Sequence, residues 1–337
     1  MLMLPTNQPK VFLSVLDNHG NTPIVNMFLE SNQNVNLYLK LEMYNPTGSV
    51  KDRAASYIIK KLLSEKVITQ QTILIESSSG NFGVSLAAYS KLHNMKFICV
   101  VDPNITSRNE KMIKLYGGAI DKVLVPDAAG GYLLSRINRV MEYLQQYNDI
   151  YWINQYENIL NSEAYKNSLG VEICQVDHID YVFIGVSSCG TITGVSQKVK
   201  EQFPNSKIIA VDIDGSVIFG GTPKKRVIPG IGSSKIPKII EQAIIDDVVY
   251  VNEEQTILMC HNLMHKYNLC CGGSSGSVFS AVNKYFEKMD LKKKVNVVAI
   301  MADRGECYLD QIYNTEWCRM LLGDKTKESP FAGDGVL

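Results

Sequence analysis

Long hydrophobic runs are missing. No segment of the 337-residue sequence approaches the roughly 20 consecutive apolar residues that span a bilayer, so a helical membrane protein is not expected. The opening Met1-Leu2-Met3-Leu4-Pro5-Thr6-Asn7 has neither the basic segment nor the apolar run of a secretory leader, and a soluble cytoplasmic protein is the expectation. An excess of one charge is also missing: 34 basic residues face 34 acidic ones, and no basic run could track a nucleic-acid backbone. The eight cysteines form no CxxC pair and no zinc-type spacing, which points to reduced thiols. The histidines form no HExxH; His261 and His265 share a helical face without an acidic partner in a motif, so no metal site is expected. Neither a GxGxxG nor a Walker lysine is present, which makes nucleotide binding a poor rival. Small molecules remain as the partners.

What is present is a regular alternation. With 45% hydrophobic residues and a mean hydropathy of -0.04, the chain can bury one large core or two moderate ones. Strand-like residues 38–42 lead to a helical pattern at 51–63, 72–76 to 84–92, 96–101 to 108–115, and 122–126 to 132–145. The pattern continues with 150–155 before 162–175 and 181–186 before 193–203. Later strands are expected at 207–213, 248–251 and 294–302, and a helix at 278–286. Such alternation predicts an α/β fold with parallel sheets, in which ligands gather at the C-terminal strand ends.

The informative loops all stand at such positions. Asn45-Pro46-Thr47-Gly48-Ser49-Val50-Lys51-Asp52-Arg53 presents one lysine at the first turn of a helix, where backbone N–H groups disfavour the ammonium form and favour a nucleophilic amine. Ser77-Ser78-Ser79-Gly80-Asn81 concentrates hydroxyls before another helix, a set suited to a carboxylate or to capping. Gly185-Val186-Ser187-Ser188-Cys189-Gly190-Thr191 opens a third helix with consecutive amides that could hold a phosphate without a cation, or simply cap it. Cys270-Cys271-Gly272-Gly273-Ser274 precedes a fourth, either as a ring-nitrogen or anion site or as a tight turn.

In kind and order these loops, with Pro229-Gly230-Ile231-Gly232 and Gly305-Glu306-Cys307-Tyr308-Leu309, resemble the fold-type II pyridoxal-phosphate enzymes of the cysteine synthase and cystathionine β-synthase family, over roughly 22–313. The resemblance implies two parallel-sheet domains with pyridoxal 5′-phosphate in the cleft between them. It also implies a smaller mobile domain at 51–158, a larger one from 1–50 and 159–325, a polar tail at 326–337, and a homodimer. By the same resemblance Lys51 forms the Schiff base with the cofactor and later moves the substrate's α-proton. Asn81 meets the cofactor's 3′-oxygen, Ser187, Ser188, Cys189, Gly190 and Thr191 form the phosphate loop, and Ser274 faces the pyridine nitrogen. A neutral hydroxyl there implies an unprotonated ring, suited to β-elimination and replacement. Ser78, Ser79 and Gln155 match the groups that hold the substrate's α-carboxylate.

Departures from the common pattern narrow the implication. Ser187 and Cys189 stand where glycine is usual, and sulfide, a tiny nucleophile, needs no such lining. Together with Asp127-Ala128-Ala129-Gly130-Gly131-Tyr132-Leu133-Leu134-Ser135-Arg136, Tyr151-Trp152-Ile153-Asn154-Gln155-Tyr156, Gly215-Ser216-Val217-Ile218-Phe219-Gly220 and Asp303-Arg304-Gly305, they resemble one branch of the family. Members of that branch join O-phospho-L-serine to L-glutamate through an aminoacrylate, giving N-(1-amino-1-carboxy-2-ethyl)-L-glutamate, a precursor of the 2,3-diaminopropionate found in siderophores. Arg136, Tyr156 and Ser187 would then bind the incoming glutamate, whose two carboxylates need a cation and hydroxyls. A cysteine synthase using O-acetylserine and sulfide is the alternative, and a non-catalytic protein that keeps the scaffold is a second.

Overall fold

β-branched runs followed by amphipathic segments produce two sheets rather than one. The computed structural model describes residues 11–126 and 131–323; the expected tail at 326–337, the opening seven residues, and Asp127, Ala128, Ala129 and Gly130 of the segment leading to Arg136 lie outside the described residues. The chain runs through β1 (Ile24–Phe28), β2 (Val35–Leu41), α1 (Lys51–Ser64), β3 (Ile73–Ser77), α2 (Asn81–Leu92), β4 (Phe97–Val101) and α3 (Ser107–Leu115). It continues with β5 (Ala119–Lys122), α4 (Leu133–Gln146), β6 (Ile150–Trp152), α5 (Ile159–Lys166), α6 (Leu169–Ile173), β7 (Tyr181–Gly185) and α7 (Gly190–Gln202). The last elements are β8 (Lys207–Ile213), β9 (Asp247–Val251), α8 (Glu253–Tyr267), α9 (Gly273–Phe286), β10 (Val295–Met301) and α10 (Thr315–Leu322).

One sheet has six strands in the order β1-β2-β10-β7-β8-β9, the other four in the order β5-β4-β3-β6. Every pairing is parallel except that of β1 with β2, where Ile24 lies opposite Lys40. The connection between those two strands is too short for a crossover, so they must run antiparallel. Apolar side chains of both sheets, among them Leu74 and Val101 on one side and Val182 and Ile208 on the other, share a core with α1, α2 and α7.

Two expectations shift for physical reasons. The strand expected at 122–126 forms earlier, as β5 after the Gly117-Gly118 turn; Leu124 and Val125 are exposed, and Pro126 has no N–H to pair. The helix expected at 162–175 breaks into α5 and α6, where the Ser168 hydroxyl donates to the Ala164 carbonyl at 2.6 Å. The helix carrying His261 and His265 is α8, opened by a reciprocal cap between Asn252 and Gln255.

A buried ion network fixes the start of α1. Arg53, two residues beyond Lys51, donates from Nε to Glu42 Oε2 at 2.6 Å and from Nη2 to Glu42 Oε1 at 2.8 Å, while Nη1 and Nη2 reach the two oxygens of Glu172 at 2.6 and 2.8 Å. Lys40 Nζ adds a second cation 2.7 Å from Glu172. Burial alone would raise the Glu172 carboxyl, but Arg53 and Lys40 outweigh it and hold it down to about 2. Two carboxylates against two cations leave no uncompensated charge in the core. Neutralising one member breaks that balance. Glu42→Gln, at a fully buried site, is expected to cost about 3–5 kcal/mol in urea unfolding and Glu172→Gln, nearer the surface, distinctly less; equal stability of Glu42→Gln and the parent protein would contradict the role given to the network.

Candidate active site

The C-terminal ends of β3, β4, β7 and β10 face a common cleft between the two sheets, and the loops that leave them line one cavity of about 300 Å³. Its wall includes Lys51, Ser78, Ser79, Asn81, Arg136, Gln155, Tyr156, Ser187, Ser188, Cys189, Thr191 and Ser274. Twelve of the thirteen residues singled out from the sequence thus meet in one place. Gly190 lies beneath it and packs on Asn161, whose Oδ1 would stand 2.4 Å from any Cβ there.

The lysine loop is tied down on both sides. Asp52 turns back to accept from the Thr47 amide at 2.7 Å, from the Thr47 hydroxyl, and from Ser85 of α2 at 2.7 Å. Burial raises the Asp52 carboxyl to about 6 against the pull of those donors. Gly48, at φ +97°, lies against the Arg304 side chain, which would stand 3.0 Å from a Cβ, so the turn needs glycine twice over. The Val50 amide donates to the Ala302 carbonyl at 2.8 Å and docks the loop on the end of β10. Lys51 Nζ then reaches the cavity and donates to Ser188 Oγ at 3.4 Å. Burial lowers its pKa from 10.5 to about 8, partly offset by the Asp303 carboxylate, so a neutral amine is within reach near neutral pH.

At the opening of α7, the amides of Ser187, Ser188 and Cys189 donate to no acceptor among the described residues, and they precede the free first-turn N–H groups of the helix. Cys189 holds φ +64° at the N-cap, the left-handed region that side chains rarely enter. Burial pushes its thiol well above the usual range, so the group is neutral. A phosphate dianion fits this nest, and an aldehyde fits the lysine amine. The donor set, the Lys51 amine together with the α7 loop amides on the same cavity wall, therefore suits a phosphorylated aldehyde cofactor.

Opposite lies the Ser77–Asn81 loop. Ser77 Oγ is buried and unpartnered among the described residues, and it lines the cavity. Ser78 Oγ accepts from the Gly83 amide at 3.1 Å. Ser79 Oγ donates to Asp102 Oδ2 at 3.0 Å and accepts from Arg136 Nη1 at 3.1 Å, with Arg136 Nε 3.3 Å from the same Asp102 oxygen. The Gln155 side-chain amide donates to the Ser77 carbonyl at 3.2 Å. Tyr156 keeps its proton, its pKa raised by burial.

Three acids hold the site in ways the sequence did not suggest. Glu76 lies behind the loop, raised to about 7 by burial, and accepts from the Ser77 amide at 2.8 Å and the Gln155 amide at 3.2 Å. Asp102 holds Ser79 and Arg136, and Asp303 accepts from Asn81 Nδ2 at 2.7 Å. Each ends or follows an apolar strand, in Ile73-Leu74-Ile75-Glu76, Val100-Val101-Asp102 and Ile300-Met301-Ala302-Asp303. An acid closing an apolar run was the available signal.

Residues 15–303 match the family described as pyridoxal-phosphate dependent enzymes. Among solved structures, an O-acetylserine dependent cystathionine β-synthase from Helicobacter pylori is 30% identical, with a TM-score of 0.84 over 91% of this chain and 100% of that one. A hydrogen sulfide-producing enzyme from Fusobacterium nucleatum is 27% identical, with a TM-score of 0.82 over 89% of this chain and 100% of that one. An O-ureido-L-serine synthase, 24% identical with a TM-score of 0.79 over 90% of this chain and 95% of that one, shares the fold. With a lysine amine and a loop of unclaimed amides lining its cavity, this chain belongs to the pyridoxal-phosphate dependent enzymes and is an enzyme of the cysteine synthase and cystathionine β-synthase type.

Proposed function

We propose that the enzyme carries out β-replacement on a serine derivative, with O-phospho-L-serine as donor and L-glutamate as acceptor, giving N-(1-amino-1-carboxy-2-ethyl)-L-glutamate and phosphate. The observation that carries this reading is the Arg136 guanidinium in the same cavity as Lys51, with Tyr156 and Ser187 also on its wall. An acceptor with two carboxylates needs such a cation and neutral donors; sulfide needs neither.

In this reading Ser187, Ser188, Cys189, Gly190 and Thr191 hold the cofactor's phosphate, and Asn81 and Ser274 orient its ring. Bound there, the cofactor supplies the electron sink that lets the α-proton and the β-substituent leave. Lys51 Nζ takes the α-proton as a neutral amine and returns it after the acceptor adds. Ser78, Ser79 and the Gln155 amide hold the donor's α-carboxylate. The unpartnered Ser77 hydroxyl supports a leaving group rich in acceptors, as phosphate is. The block 51–158 closes on the donor through the Ser78–Asn81 loop, and the working unit is a homodimer.

A second reading has a specific support: the Helicobacter pylori relative is described as O-acetylserine dependent, which favours an acetyl leaving group and a thiol acceptor. Product analysis separates the two. Incubated with O-phospho-L-serine and L-glutamate, the enzyme is expected to release inorganic phosphate and form one product with the mass of the joined amino acids. Turnover only with O-acetyl-L-serine and a thiol or sulfide would contradict the proposal.

Two further outcomes follow from the named groups. Arg136→Gln removes a charge-assisted contact and is expected to raise the KM for glutamate by about 10–100-fold, corresponding to about 1.5–3 kcal/mol, while phosphate release in the absence of acceptor changes little. Equal damage to both half-reactions would assign Arg136 to the Ser79 loop instead. The rate of pyridoxal-phosphate uptake by the apoprotein should follow the neutral fraction of Lys51, rising about tenfold per pH unit below pH 8 and levelling above it. A rise that continues to pH 10 would show an ordinary lysine.

A further inference from the structure

Arg136 reaches the cavity from α4, and a side chain with so many rotatable bonds holds no single direction unaided. Its anchor is Asp102, which follows β4 and also lines the cavity. Arg136 Nε stands 3.3 Å from Asp102 Oδ2, and Nη1 donates to Ser79 Oγ at 3.1 Å. No other carboxylate is at ion-pair distance from Arg136 among the described residues.

Asp102 is itself held from several sides, with only 5% of its surface exposed. Its Oδ1 accepts from the Asn104 amide at 2.8 Å and its Oδ2 takes the Ser79 hydroxyl hydrogen at 3.0 Å, while its own amide donates to Ser79 Oγ at 3.2 Å. The Ser79 carbonyl accepts in turn from Asn109 Nδ2 of α3 at 3.3 Å. The carboxylate thus has the rigidity of a strand end braced by two loops, and Arg136 inherits it. Contact through Nε and Nη1 leaves Nη2, which has no partner among the described residues, for a ligand. A planar carboxylate meets a guanidinium edge with two parallel hydrogen bonds only when that edge is held in place.

We propose that Asp102 is a positioning residue that sets acceptor specificity, holding Arg136 at Nε so that the free part of the guanidinium meets the acceptor's carboxylate. Asp102 acts on the acceptor through Arg136. The inference rests on the reading of Arg136 as the acceptor's cation and not on the leaving group of the donor. Asp102→Asn keeps the size of the side chain and one acceptor oxygen but removes the charge that orients the guanidinium. Arg136 must then be ordered by the acceptor itself, at the expense of acceptor affinity.

A double-mutant cycle on the cofactor-loaded enzyme separates this role from a merely structural one. The KM for L-glutamate is measured with O-phospho-L-serine as donor in the parent protein, Asp102→Asn, Arg136→Gln and the double variant; L-homocysteine, a thiol that also carries a carboxylate, replaces glutamate if glutamate is not turned over. Asp102→Asn is expected to raise the acceptor KM about 3–10-fold in the parent background and by less than about twofold once Arg136 is gone. An equal rise in both backgrounds overturns the proposal, because Asp102 would then act without Arg136, and so does an unchanged KM in Asp102→Asn. If Asp102→Asn does not fold, Asp102→Glu keeps the charge but moves it one methylene outward, and an unchanged acceptor KM there is equally contrary. An acceptor KM untouched by Arg136→Gln, or turnover with sulfide alone, overturns the reading of Arg136 and this inference with it; a rise confined to Arg136→Gln leaves that reading standing and removes only the role given to Asp102.

Discussion

A guanidinium buried between two carboxylates sets the geometry of this enzyme. Arg53 joins Glu42, just past β2, to Glu172 of α6, and it does so from the first turn of the helix that carries Lys51. The ion network therefore fixes the direction in which α1 enters the cleft. Asp52, between the two, ties the lysine loop to α2 through Ser85. Three consecutive residues, Lys51-Asp52-Arg53, thus divide the work: one reaches the cavity, one holds its own loop, one anchors the helix in the core. Ordering so many polar groups out of water is tolerable only because each has a partner.

Function follows from what that anchor allows. A lysine amine brought into the cavity loses its proton more readily, because burial disfavours the ammonium more than its neighbours restore it. The α7 loop, whose first amides donate to no acceptor among the described residues, has the donors a phosphate would need without a cationic side chain. The opposite wall is built differently, from the Ser79 hydroxyl held by Asp102, from Arg136, and from Gln155 with its backbone anchored on Glu76. The Asn81–Asp303 hydrogen bond spans the cleft, since Asn81 opens α2 behind the four-stranded sheet and Asp303 follows β10 of the six-stranded one.

Much of this could be read from the sequence, and the reasons are local. Glycine and hydroxyl-rich stretches between an apolar run and a helical pattern mark strand ends, so the loops around Lys51, Asn81, Ser187 and Ser274 were visible individually. The parallel sheets followed from the alternation itself. What stayed hidden depends on partners far along the chain. Glu42 and Glu172 meet Arg53 across 11 and 119 residues, and no short pattern joins them. Asp303 looked like one part of an Asp-Arg-Gly segment until the fold set it beside Ser274 and Asn81. The misplaced β5 shows the limit of apolar content as a guide, since Val123-Leu124-Val125 resembles a strand more than Ala119-Ile120-Asp121-Lys122 does, yet the Gly117-Gly118 turn decides where pairing begins.

The central claim is that Lys51 is the amine at which the cofactor is held. Borohydride reduction of the cofactor-loaded protein, followed by proteolysis and mass spectrometry, tests it most directly. The phosphopyridoxyl mass is expected on the peptide containing Lys51 and absent from the same peptide of Lys51→Ala. Its recovery on any other lysine would contradict the site described here.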